Sequence, residues 1–531
     1  MAEAATEVRS PGNMAEVQLI LRSPGMPKPK RKAMTSEEKK AKIVAKRVAT
    51  AAAVDAATAE NWKHVPQLGN GCFQMCFNTP NEQPPADFFM TFKQRCTATL
   101  SFADIFLQMM TDSIMDKLFE DFPLDELRFK VNHGEANFGS SSGMRLCVGY
   151  MWQAVCISIR VTGLNKGTKY GDGVPDPMKQ AVAEGREYFT KAHESNSSSR
   201  KPAGRDIILR LVSRMLMGES YCELITANCA DMVLRLGQFV AGDEKLFHYT
   251  GDSGLVRLVP SKPDKMGLWF YQKCGALSNG LPFCLFFLLH NSISIAVSTE
   301  SVVSKWVANI RRIDLGVDAD PDADWNPHTV LVFDSYYTSK DVVDLFRKEQ
   351  NKNVCYLASV TPDRFANLTR FLLPPGYVDV EGASKAAYKE DTKELYVFHW
   401  DTQKGVGKKF NYSRGLLPCS DKMKVLAKKH EIPGYDTYKT SFACCDDFNK
   451  GLHDKIWPHK RGGSGHKGFE GKINDFIMAV MLENTYNSWH QITGNTPHVI
   501  SFKLFCCTLA DQLWKLKCNN ASLYYKGSTQ L

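Results

Sequence analysis

No apolar run in this 531-residue sequence reaches the roughly 18–20 residues that a membrane helix needs. The longest, Leu281–Leu289, stops at His290 and Asn291, so it reads as a buried strand and no membrane partner is expected. Paired C-x-x-C knuckles are missing as well. Sixteen cysteines are scattered without a regular framework, and the opening MAEAATEVRS has no signal-peptide pattern. Both absences favour free thiols in a reducing, intracellular setting, and no zinc is expected from Cys506, Cys507 and Cys518. Acid is in short supply: 57 Asp and Glu against 66 Lys and Arg leave a net charge of +9, a modest lean toward a polyanion partner. Residues 1–60 lack any apolar period and should be a disordered basic tail. Within them Lys28, Lys30, Arg31 and Lys32 form a compact cluster suited to nuclear import or to a DNA-contacting arm.

The stretch that organises the remainder is 329–360. Val330–Phe333 is a short apolar run of the kind that makes a buried strand, and it ends on Asp334. Thr338 or Ser339 can cap a helix carrying Val342, Val343, Leu345 and Phe346 on one side, and Val354–Val360 reads as the next strand. A carboxylate at the carboxyl end of a buried strand is where α/β enzymes place ligands and metals. The pattern alone leaves open whether Asp334 merely starts the turn.

Upstream, residues 61–240 carry helical periodicity (Phe102, Ile105, Phe106, Met109, Ile114, Met115) and form a mainly helical region. Gly267–Lys273, Phe283–His290 and Ser292–Val297 then read as three successive strands, followed by a helix over Glu300–Ile310. The resulting β-β-β-α-β-α-β order is that of a ribonuclease-H-like mixed-sheet core, an α/β fold expected in two parts, 241–375 and 431–495. A β-rich insertion over 376–430 separates them, with Leu395–His399 and Lys408–Tyr412 pairing as a hairpin. The second part includes a basic, Gly-rich loop and a final amphipathic helix, Asp475–Trp489, leaving 496–531 as a tail. Lys455, His459, Lys460, Arg461, Lys467 and Lys472, interspersed with glycine, suit contact with a DNA backbone.

Several of these pieces resemble the piggyBac family of DNA transposases and the genes derived from it. Asp243-Glu244 with Phe247 and Gly251, then Pro260, Lys262-Pro263, Lys265 and Gly267, look like the segment that leads into the family's nuclease core. Phe333-Asp334-Ser335-Tyr336-Tyr337-Thr338-Ser339 looks like its second-acid motif. Trp400-Asp401 is similar to a W-x-D of its inserted region without the spacer residue. Pro433, Tyr438 and Asp446 keep the spacing around its third acid, and Trp457-Pro458, Asn484 and Tyr486 close the region. The resemblance implies cut-and-paste transposition at TTAA sites by a homodimer. Two divalent cations, Mg²⁺ or Mn²⁺, are held by acids from separate strand ends. It assigns Asp334 and Asp446 as catalytic metal ligands and Asn449 as a neutral oxygen ligand at a further acid's place. It also aligns the first catalytic acid with Gly275, which has no side chain to ligate anything.

Three functions therefore stand at this level. One is a transposase-derived nuclear protein that binds double-stranded DNA with an impaired nuclease. A second is an active transposase. The third is a non-catalytic intracellular scaffold.

Overall fold

The computed structural model describes residues 89–97, 101–118, 220–249, 255–260, 265–290, 298–316, 329–348, 354–359, 435–455, 469–494 and 499–528. It also describes the backbone of short strands at 62–65, 130–131, 134–135, 384–389, 394–401 and 406–412, with single residues between. No helix among the described residues is long and apolar enough to cross a membrane.

The core is a ten-stranded mixed sheet. Its strands in chain order are β1 (Trp62–Val65), β2 (Phe239–His248), β3 (Val256–Leu258), β4 (Met266–Ala276), β5 (Pro282–Leu289), β6 (Val330–Phe333), β7 (Cys355–Ser359), β8 (Ser384–Lys389), β9 (Glu394–Asp401) and β10 (Val406–Tyr412). In space they run β1-β8-β9-β10-β7-β6-β2-β4-β3, with β5 also paired to β4. Near-continuous apolar runs such as VLVF and PFCLFFLL are fully buried, as strands covered on both faces must be. β6 lies parallel to both β2 and β7, while β2, β4 and β5 are antiparallel neighbours.

The central strand differs from the sequence reading. β2 begins before the expected boundary at 240/241 and inserts between β4 and β6. Besides the three-residue β3, the antiparallel strands that precede the helix are therefore β2, β4 and β5. Ser292–Val297, read as the third strand, lies outside the described residues. The hairpin reading fits the structure, with Asp401 opposite Val406 across β9 and β10, and β10 joins β7 so that the insertion extends the main sheet.

Among the described residues seven helices have eight residues or more: α1 (Phe102–Met109), α2 (Ser220–Met232), α3 (Thr299–Leu315), α4 (Lys340–Arg347), α5 (Tyr435–Lys455), α6 (Phe469–Thr493) and α7 (Phe502–Ser528). Ser298 caps α3 by accepting from Ser301 N at 3.1 Å, and Val302, Val303, Trp306 and Ile310 form its buried stripe. A Cβ at Gly242 would collide with the Trp306 ring, so only glycine lets α3 approach β2 this closely. Beside it Lys273, fully buried, donates to the Trp306 carbonyl at 3.2 Å, and loss of hydration pulls its ammonium down to about 7.

Alternation along the strands puts the next pair, Ala241 and Cys274, on the opposite face. There α5 docks, with Cys445 Sγ donating to Ala241 O at 3.1 Å. On α6, Phe476 stacks on Phe270, and Asn484 satisfies both the N–H and the carbonyl of Cys284. The expected final helix over 475–489 is longer than its periodicity suggested, and it is not final. α7 follows it, burying Phe505, Leu509 and Leu513 at i, i+4, i+8 and setting Phe505 edge-on against Phe102 of α1. That stripe needs α1 as its partner, which the local sequence does not reveal.

Candidate functional site

Asp334 follows the last residue of β6. Its Oδ1 accepts from Tyr336 N at 2.8 Å, closing a tight turn. Thr338 Oγ1 lies 2.7 Å from Ser359 O and 3.1 Å from Asp334 O, tying that turn to the end of β7. Ser339 then caps α4 by accepting from Val342 N. The strand, the turn and the cap are all legible in residues 330–346.

The β2–β6 register pairs Gly242 with Phe333, so Asp334 emerges beside Asp243 on the central strand. Asp243, Glu244 and Asp334 each offer a carboxylate oxygen within 4.8 Å of the others. Adjacent residues of a strand point to opposite faces. Asp243 accordingly shares its face with Gln272 across β4, and Glu244 shares the other with Tyr271. Lys262 Nζ pairs with Glu244 Oε1 at 3.0 Å, and Tyr337 Oη donates to Glu244 Oε2 at 3.2 Å.

Three carboxylates answered by one half-exposed lysine are electrostatically crowded. Burial, then the charges of Glu244 and Asp334, push the Asp243 carboxyl well above its ordinary range. Burial and then Glu244 raise Asp334 to about 6. Two neutral groups nearby are also unsatisfied. Gln272 is fully buried opposite Asp243 and, among the described residues, neither of its amide atoms has a partner, nor has the buried Asn449 Oδ1 on α5. Buried hard oxygen donors carrying excess negative charge fit a divalent cation of the Mg²⁺ or Mn²⁺ kind.

An acid whose pKa is raised by folding favours the folded state below its unfolded value and withdraws that stability as pH climbs through the folded one. For Asp334 the loss runs from about 3.8 to about 6. Mn²⁺ is therefore expected to raise the thermal midpoint more at pH 7.5 than at pH 5, where protons occupy the carboxylates. Equal shifts at the two pH values in differential scanning fluorimetry would count against carboxylate ligation.

Of the sequence-expected site residues, the structure brings Asp334 into the cluster. Asp446 lies on the exposed side of α5 and is not a member of it. Partial burial and Asp447 raise its carboxyl while Lys262 and Lys245 oppose, so it shares Lys262 with the cluster. Asn449 sits one turn further on, its backbone carbonyl accepting from Lys245 Nζ at 3.4 Å. Gly275 is opposite Val240, three residues along β2 from Asp243, and is buried against Met90. Lys472 belongs to α6, its ammonium 5.7 Å above the Phe247 ring. The side chain of Lys455, with His459, Lys460, Arg461 and Lys467 and the Lys28, Lys30, Arg31 and Lys32 cluster, lies outside the described residues.

Sequence reasoning missed Asp243 and Glu244 as site residues, taking them only as part of a motif. Two consecutive acids inside a strand flanked by Phe239, Val240, Ala241, Leu246 and Phe247 were the available signal, because buried acids are rarely left unpaired.

No family model and no curated protein matches this chain. Among solved structures, a cryo-EM piggyBac transposase synaptic complex with hairpin DNA (SNHP) is similar, with a TM-score of 0.53 and 11% sequence identity. The likeness covers 81% of this chain and 84% of that one. At that identity the likeness is one of fold: this chain has a distant piggyBac-transposase-like fold.

Proposed function

We propose that this chain is a piggyBac-like transposase descendant that binds double-stranded DNA and retains a metal-dependent phosphoryl-transfer centre at Asp243, Glu244 and Asp334. The observation that carries the reading is the meeting of these three carboxylates where the end of β6 reaches the middle of the neighbouring strand β2. The spatial order β5-β4-β2-β6-β7, third-second-first-fourth-fifth along the chain, supports a ribonuclease-H-like core. In that core the first acid comes from β2, so glycine at 275 removes nothing from the cluster. The +9 charge favours a polyanionic substrate.

In this reading Asp243 and Asp334 hold Mg²⁺ or Mn²⁺. The bound cation would supply positive charge to the attacking and leaving oxygens of a phosphodiester. The protein's own share is positioning: Tyr336 N–H orients the Asp334 carboxylate, and Tyr337 and Lys262 fix Glu244. Lys262, half-exposed, is also placed to meet a DNA phosphate.

A second reading, DNA binding without cleavage, is favoured by that same Lys262. Its ammonium already neutralises one of the three carboxylates. Purified protein with nicked and hairpin-ended duplexes and Mn²⁺ separates the two. Retained chemistry gives strand cleavage that Asp334→Ala lowers about a hundredfold or more, since each 1.36 kcal/mol of transition-state stabilisation is about tenfold in rate. Salt-dependent binding with no cleavage supports the second reading, and no binding at low salt removes both.

A further inference from the structure

Tyr336 is 42% exposed, an ordinary figure for a surface aromatic, yet its ring is held on every other side. Its backbone N–H is bound to the Asp334 carboxylate at 2.8 Å. Tyr271 lies beside it, its own hydroxyl oxygen 2.7 Å from Nδ1 of the buried His290. Tyr337 meets the ring edge-on at 5.1 Å between centroids, and Trp269 lies tilted against it at 5.9 Å. The Arg257 guanidinium closes the back of this group against His290 Nε2. Packing of this kind immobilises a side chain, and here it immobilises one that still turns part of its ring to solvent.

Exposed aromatic area that is already rigid costs little entropy to use in binding. Two features say what it would receive. The ring lies two residues from Asp334 of the carboxylate cluster, and the partly exposed Lys262 beside Glu244 suits a phosphate. Bases inside an intact duplex are stacked on one another and cannot reach a protein ring; an unpaired base presents a free π-face.

We propose that Tyr336, backed by Trp269 and Tyr337, is a stacking shelf for one unpaired nucleobase adjacent to the phosphate held at the Asp243–Glu244–Asp334 cluster. The proposal rests on the DNA-processing reading above and adds a substrate class to it: DNA interrupted or opened at the reacting phosphate, preferred over continuous duplex. Trp269 belongs to the shelf as the wall that fixes the ring. Its Nε1 is buried with no partner among the described residues, and its ring packs against both Tyr271 and Tyr336.

The test uses the full chain, Ca²⁺ in place of a cleavage-supporting metal, and two DNA probes: a continuous duplex, and the same duplex with a short single-stranded gap carrying 2-aminopurine. The wild type is expected to prefer the gapped probe and to change its 2-aminopurine fluorescence on binding, because stacking quenches that base. Tyr336→Ala should lose about tenfold in affinity for the gapped probe, in line with base–aromatic stacking, and lose the fluorescence change. Tyr336→Phe, which keeps the ring and removes the hydroxyl, should retain both. If Tyr336→Ala matches the wild type on the gapped probe while DNA binding persists, the shelf is overturned and the DNA-binding reading stands. If the wild type binds neither probe at low salt, both fall together.

Discussion

Asp243→Asn is expected to lower Mn²⁺-dependent strand cleavage by about a thousandfold or more, the loss of about 4 kcal/mol of transition-state stabilisation. The same variant should be more stable than the parent when metal is absent. Asparagine keeps the shape and an oxygen but not the charge, so it cannot replace a carboxylate toward a hard cation. The charge it removes is one the fold holds at a cost, since burial, Glu244 and Asp334 all disfavour ionised Asp243. Because folding raises this acid's pKa, its ionised form takes stability away at neutral pH and takes nothing away below about 4, where the unfolded chain is protonated as well. The gain in urea midpoint, measured with EDTA, should thus be clear at pH 7.5 and near zero at pH 4. A loss at pH 7.5 would show instead that Asp243 is a structural acceptor, and the cluster would lose its claim to be a metal site. A trade of stability against activity is what a functional cluster of like charges predicts.

Gly275→Asp, which restores an acid where family resemblance places the first one, is expected to destabilise the protein by about 3–5 kcal/mol and to add no cleavage. A Cβ at 275 would lie 2.8 Å from Met90 Sδ, and the carboxylate beyond it would enter the buried layer around Met90. Position 275 faces Val240, three residues from Asp243, or about 10 Å along the strand at roughly 3.3 Å per residue. That separation is too great to join a metal held at Asp243 and Asp334. The readouts are the urea midpoint and the Mn²⁺-dependent cleavage rate. Faster cleavage in Gly275→Asp would mean that the first acid belongs on β4 and that Asp243 is a bystander.

Asn449 completes the comparison with the family pattern. Its orphaned Oδ1 and the orphaned amide of Gln272 are two oxygen-bearing neutral groups on the α5 side with nothing to bond among the described residues. Both sit on the face that α5 covers, the face on which Asp243 also lies. Asp446, one turn earlier on α5, feels the cluster through Lys262 without joining it.

Local chemistry was enough to read much of this. VLVF is too apolar and β-branched to be anything but a covered strand, and the polar turn after it leaves Asp334 at the strand's end with Ser339 as the next cap. The alternating runs around Asp401 make a hairpin, and Phe102–Met109 makes a helix, because each pattern is closed within about twenty residues. Which strands lie side by side is not a local property. β2 separates β4 from β6 through pairings that span from about twenty to about ninety residues, chosen by how the whole sheet buries its apolar faces. That choice decides which acids meet: it seats Asp243 and Glu244 next to Asp334 and leaves Gly275 in the core. The chain's own letters named the carboxylate at the end of β6, and only the folded sheet could name its companions.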